Sequence, residues 1–124
     1  MSFVHKELAS GRWQTFSFLQ QMGNIGSEID RAIRWKQNNE PILSQGAFER
    51  ALELLALTIQ DPKNRSRLKE LCRVREALID YFMYDNVYGS SDELWHRYFY
   101  FFAVRAQIER NLRATNPAIH PSSL

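Results

Sequence analysis

The chain holds 124 residues, 44% hydrophobic and 24% charged, with a formal net charge of +2 and one cysteine; this is the composition of a single globular domain able to fold without staples. One cysteine excludes an internal disulfide, and no stretch nears the ~18 uninterrupted apolar residues of a membrane span. Two surplus positive charges are too few to imply a nucleic-acid partner on their own, and the lack of an apolar leader after Met1 leads to a cytoplasmic expectation.

Helical periodicity begins between about Gly11 and Asn38, where Phe18, Met22, Ile25, Ile29 and Ala32 recur at spacings of four and three and so share one face. Ser10 is the expected N-cap, and Asn38-Asn39-Glu40-Pro41 ends the run. Gly23 and Gly26 lie inside it, each costing about 1 kcal/mol against alanine, and close approach of another backbone is the expected compensation. A second helix is predicted from Gln45 to Gln60, capped by Ser44, with Phe48, Ala51, Leu52, Leu55 and Ile59 as its stripe and Asp61-Pro62 as its stop.

The third predicted helix starts near Lys63 or Asn64 and runs to Tyr84, with Leu68, Leu71, Cys72, Leu78, Ile79, Phe82 and Met83 inward. Cys72 is therefore expected to be a packed, inert thiol. Ser90 and Glu93 have the spacing of a capping box, and a fourth helix follows to about Arg113. The aromatic segment from Tyr98 to Val104 has strand-like composition. It is nonetheless read as helix, because a helix start lies upstream, helix formers lie downstream and no breaker intervenes. Residues 1–115 form one domain on this reading, and 116–124, with Pro117 and Pro121, form a tail expected to be disordered.

Four helices with short connections predict an all-α, antiparallel four-helix bundle with crossings of about 20°. Seven consecutive apolar or aromatic residues from Tyr98 to Val104 leave the fourth helix without a wholly polar face. A helix at the edge of a bundle keeps one side in water, so that side calls for a partner, and a second copy supplies one without another gene product. Trp95, Tyr98, Phe99 and Phe102 are the expected homodimer interface.

Three chemistries compete with a plain interaction module. Lys63, Arg65, Arg67, Lys69, Arg73 and Arg75 place six positive charges in thirteen residues, opposed by Glu70 alone. Of these, Arg65, Lys69 and Arg73 recur at a helical spacing, suited to nucleic acid or another anionic ligand. Arg75 falls on the core side and is expected to form a buried pair with Asp30. Glu49 with Glu53, and Glu76 with Asp80, set carboxylates one turn apart, as a magnesium-dependent hydrolase requires, although the spacings differ from the Glu-x-x-Glu type. Glu93 and His96 match half of a di-iron motif whose second half is missing, so no metal site is predicted. Small bundles of the HEPN type offer an analogy of size and architecture, but their arginine-to-histidine motif is matched only by Arg113 and His120, across Pro117. The leading expectation is a non-enzymatic, homo-oligomeric protein-interaction subunit with no catalytic residues and no cofactor.

Overall fold

The computed structural model describes residues 11–115. Four α-helices pack together in it: α1 (Phe18–Gln37), α2 (Pro41–Gln60), α3 (Leu68–Met83) and α4 (Asp92–Thr115), with 3-10 turns at Arg12–Thr15 and Pro62–Arg67. No strand occurs among the described residues, so the aromatic run from Tyr98 to Val104 is helical, as its flanks require.

α1 starts later than the periodicity implies. Gly11 has φ +119°, a value that favours glycine, and leads into the 3-10 turn. Ser17 then caps α1: its hydroxyl accepts from the Gln20 amide (3.2 Å) while the Gln20 side chain accepts from the Ser17 amide (2.9 Å). The earlier turn buries Trp13. α2 begins at Pro41, whose fixed φ suits the first helical position. Ser44 is therefore inside the helix and not its cap; its hydroxyl donates to the Ala32 carbonyl at 2.8 Å and fastens α2 to α1.

The α2–α3 connection is built around Asp61, which accepts from the Lys63 amide and starts the 3-10 turn. α3 consequently begins four or five residues later than predicted. At its other end the buried Asp80 carboxylate accepts the amides of Val87 (3.0 Å) and Tyr88 (3.1 Å), setting the path of the loop to α4.

α1 is the central element and packs along both α2 and α4, whereas α3 leans on α2 and on the turn that precedes it. Met22, Ile25, Ile29, Ala32, Phe48, Leu55, Leu71, Leu78 and Phe99 form the buried centre. The α1–α4 crossing is close where α1 carries glycine. A Cβ on Gly23 lies 3.6 Å from the Ala103 Cα, and one on Gly26 would lie 2.5 Å from the Phe99 Cβ. The expected close approach is thus to backbone at Gly23 and to an aromatic side chain at Gly26.

A buried polar network crosses the same core. The Gln21 amide donates to the Trp13 carbonyl (3.0 Å) and to Asp61 (2.9 Å), and its oxygen accepts from Asn64 (2.9 Å). Asn64 donates also to the Thr58 carbonyl (2.9 Å), and the Trp13 indole donates to the Thr58 hydroxyl (2.9 Å). Lys63 covers Asp61 with an ion pair. Burial disfavours the Asp61 carboxylate, but the bonds from Lys63 and Gln21 outweigh it and hold its pKa below the ordinary range.

Candidate protein-interaction face

α4 is held at its start by Ser91, whose hydroxyl accepts from the Leu94 amide at 3.1 Å. The cap is thus one residue later than predicted. Glu93 ion-pairs with Arg97 (2.8 Å) instead of closing a capping box, and Ser90 donates its amide to Asn86 (2.8 Å). Asp92 joins three helices: it accepts from Lys36 at 2.7 Å and from the Tyr81 hydroxyl, while Lys36 donates also to Tyr81 at 2.9 Å. Burial opposes charge on both Lys36 and Asp92, yet these bonds prevail, raising the lysine pKa and lowering the aspartate's.

An advance of about 100° per residue separates two apolar faces on this one helix. Trp95, Phe99, Phe102 and Ala106 fall within about 60° of each other and are buried against the rest of the chain. Tyr98 lies beside them, its hydroxyl donating to Glu70 on α3 at 3.1 Å. Burial, and after it the Glu70 carboxylate, push the Tyr98 phenol well above its ordinary pKa, so it remains a neutral donor. The four residues expected at a dimer interface are therefore occupied within one chain: Trp95, Phe99 and Phe102 are core, and Tyr98 bridges to α3.

The second face is the one left in water. Leu94 (50% exposed), Phe101 (51%), Ile108 (52%) and Leu112 (53%) fall within about 40° of each other, roughly 120° from the core face. Tyr100 and Val104 widen it. Arg105 lies over the Phe101 ring, its guanidinium carbon 4.3 Å from the centroid, so its stem covers apolar surface while its charge stays in solvent. In the first half of α4 the face deepens into a groove of about 500 Å³ lined by Ser90, Leu94, Trp95, Arg97, Tyr98 and Phe101. The Trp95 indole nitrogen, buried beside this groove, has no acceptor among the described residues. Such a stripe is wider than the scattered apolar exposure of an ordinary surface.

The other sequence-derived candidates are placed as follows. Asp30 and Arg75 do not meet: Asp30 contacts His96 (Oδ1 to Nδ1, 3.1 Å), linking α1 to α4, and Arg75 is exposed on α3. α3 is rotated so that Leu71, Val74 and Leu78 face inward, which carries position 75 outward. Cys72 is exposed for the same reason, contrary to the packed thiol expected. Arg65, Lys69 and Arg73 are all exposed and form no ion pair with a described residue. Arg65, however, belongs to the 3-10 turn, so only Lys69 and Arg73 share an α-helical face.

The acidic pairs do not converge. Asp80 anchors the α3–α4 loop, Glu76 accepts from Tyr88 (3.4 Å) and Glu49 accepts from Gln45 (3.2 Å). Arg50 pairs with Glu28 on α1, not with its own helix. No group of three metal-binding side chains forms among the described residues, and none of their helices is long and apolar enough to cross a membrane. His120 and the segment 116–124 lie outside the described residues. No known protein family, curated protein or solved structure matches this chain.

Proposed function

We propose that the protein is a non-enzymatic, cytoplasmic interaction module, an antiparallel four-helix bundle that acts as a homodimeric subunit through the outer face of α4. One observation carries this reading: α4 has a complete apolar core face and a second apolar face, Leu94, Phe101, Ile108 and Leu112, each about half exposed and uncovered by the other described residues. Burying half-exposed aliphatic and aromatic side chains contributes ~1 kcal/mol each, so two such faces supply on the order of 10 kcal/mol against the cost of association, consistent with a micromolar or tighter dimer.

Light scattering coupled to size exclusion tests the reading. The expected mass is twice 14.6 kDa, and Phe101→Glu or Ile108→Glu, both at exposed positions, should give a folded monomer with unchanged helicity. A monomeric wild type above micromolar concentration refutes it, as does a charged variant that remains dimeric.

A second reading, binding of nucleic acid or another polyanion, rests on the exposed cations Arg65, Lys69 and Arg73. It requires affinity for RNA or DNA that falls steeply with salt and weakens in the Arg65→Ala/Arg73→Ala variant; salt-independent binding removes it.

A further inference from the structure

We infer that the loop between α3 and α4, residues 84–90, is a preformed recognition loop for a cationic protein segment, one that carries arginine or lysine beside apolar residues. The inference does not depend on the self-association proposed above. Val87 is 83% exposed, Tyr84 72% and Tyr88 63%, and Met83 just before them is half exposed. Turns are ordinarily built of Gly, Pro, Asn, Asp and Ser, so three large exposed side chains within five positions are not what the chain reversal needs. The loop is nonetheless held in one shape. The buried Asp80 carboxylate accepts the Val87 and Tyr88 amides, and Asn86 both donates to the Ser90 carbonyl (2.9 Å) and accepts from the Ser90 amide (2.8 Å). The Gly89 amide closes the turn on the Asn86 carbonyl at 3.0 Å.

Charge selects the partner. From Glu76 to Glu93 the sequence has five acidic residues and no lysine or arginine. Asp92 and Glu93 are matched by Lys36 and Arg97. Glu76, Asp80 and Asp85 have no cation against them among the described residues: Glu76 accepts from the Tyr88 hydroxyl (3.4 Å), Asp80 takes the loop amides and Asp85 is exposed. This charge does not serve α3, whose C-terminal end is the negative pole of its dipole and whose last turn holds no basic residue. Tyrosine faces in a negative field suit a guanidinium or ammonium group, which stacks on the ring while the carboxylates draw it in from a distance. The tyrosines have few rotatable bonds to immobilise, and a loop already ordered adds little further cost on binding. The same carboxylates repel nucleic acid and anionic lipid, which leaves a basic protein segment as the occupant.

The experiment titrates the full, isotope-labelled chain at low salt with the blocked peptide Arg-Leu-Arg-Leu-Arg and follows the backbone amides by NMR. The expected result is binding that saturates below about 1 mM, with the largest shifts at residues 84–90. Asp85→Lys should weaken it at least about fivefold, and the double variant Tyr84→Ala/Tyr88→Ala at least about tenfold, both with unchanged helicity because all three positions are exposed. The peptide Glu-Leu-Glu-Leu-Glu should not bind. Shifts centred outside the loop, no saturable binding, equal binding of the acidic peptide or an affinity indifferent to either variant each overturn the inference. Vesicles of phosphatidylcholine are the remaining comparison: loop shifts with vesicles and none with the arginine peptide would make the loop a lipid contact and overturn it too.

Discussion

Replacing Gly26 with alanine separates the two forces that act on a helix glycine. Intrinsically the change favours α1, because alanine is better than glycine inside a helix by about 1 kcal/mol. The structure opposes it: the new Cβ would lie 2.5 Å from the Phe99 Cβ and 3.0 Å from its Cγ, and the first of these is fixed to the α4 backbone, so no rotamer change can withdraw it. α4 must retreat by about 1 Å, and overpacking of this kind costs ~1–3 kcal/mol, with the upper half of the range expected where backbone has to move. The net effect is a loss of about 1–2 kcal/mol, read as a lower denaturant midpoint at unchanged slope and a melting temperature lower by roughly 4–8 °C. Gly23→Ala supplies the control, since its Cβ meets the Ala103 Cα at an ordinary 3.6 Å. It should be neutral or stabilising by up to ~1 kcal/mol. Were Gly26→Ala to equal or exceed the wild type in stability, the packing argument at the α1–α4 crossing would be wrong.

Three further outcomes follow from buried polar groups. Asp61→Asn should destabilise by about 2 kcal/mol at neutral pH, because it weakens the bonds to Lys63 and Gln21. The Asp61 pKa is depressed in the fold, so its contribution is present above the unfolded value near 4 and lost as pH falls below it. Wild type and variant should therefore converge in urea titrations toward pH 3, and a gap that persists there would contradict the assignment. Asp80→Ala should cost about 2 kcal/mol and speed hydrogen exchange at the Val87 and Tyr88 amides, which lose their carboxylate acceptor; unchanged protection at both would show that the loop holds itself. Thr58→Val preserves shape but strands the Trp13 indole donor, so a loss of about 1–2 kcal/mol is expected by chemical denaturation, whereas a neutral result would mean that the donor finds another acceptor.

The helical class and most of the α1 stripe were legible in the sequence, because Met22, Ile25, Ile29 and Ala32 keep a period that only a helix satisfies. The true start of α1 was legible as well: Ser17 and Gln20 have capping-box spacing, but periodicity extending back toward Gly11 drew the boundary too early. The α3 errors have two causes. Counting by α-helical turns from Lys63 treats a 3-10 turn, which advances about 120° per residue, as though it were helix, and so misplaces Arg65. Where apolar and polar residues alternate without a clean stripe, as at Cys72 and Arg75, packing alone decides the rotation.

α4 posed a different difficulty. Both of its faces are apolar, so composition shows that there are two without showing which is inward; burial of Trp95, Phe99 and Phe102 is decided by shape against α1 and α3. The outer face remained readable in principle, since Leu94, Phe101 and Ile108 recur at intervals of seven. The Gln21–Asp61–Asn64 network was not legible, because it joins residues up to 43 positions apart that nothing local marks as neighbours.

That network also determines how the helices are aligned lengthwise. Aliphatic contacts between α1 and α2 would tolerate sliding one helix past the other by a turn, about 5.4 Å, with much of the apolar burial recovered in the new alignment. The amide of Gln21, the carboxylate of Asp61 and the indole of Trp13 allow no such slip. After one turn each would be left buried without its partner, at ~1–3 kcal/mol apiece, and together these losses rival the whole stability of a small domain. A handful of hydrogen bonds thus selects a single alignment of α1 and α2 from several that hydrophobicity alone would leave nearly equal.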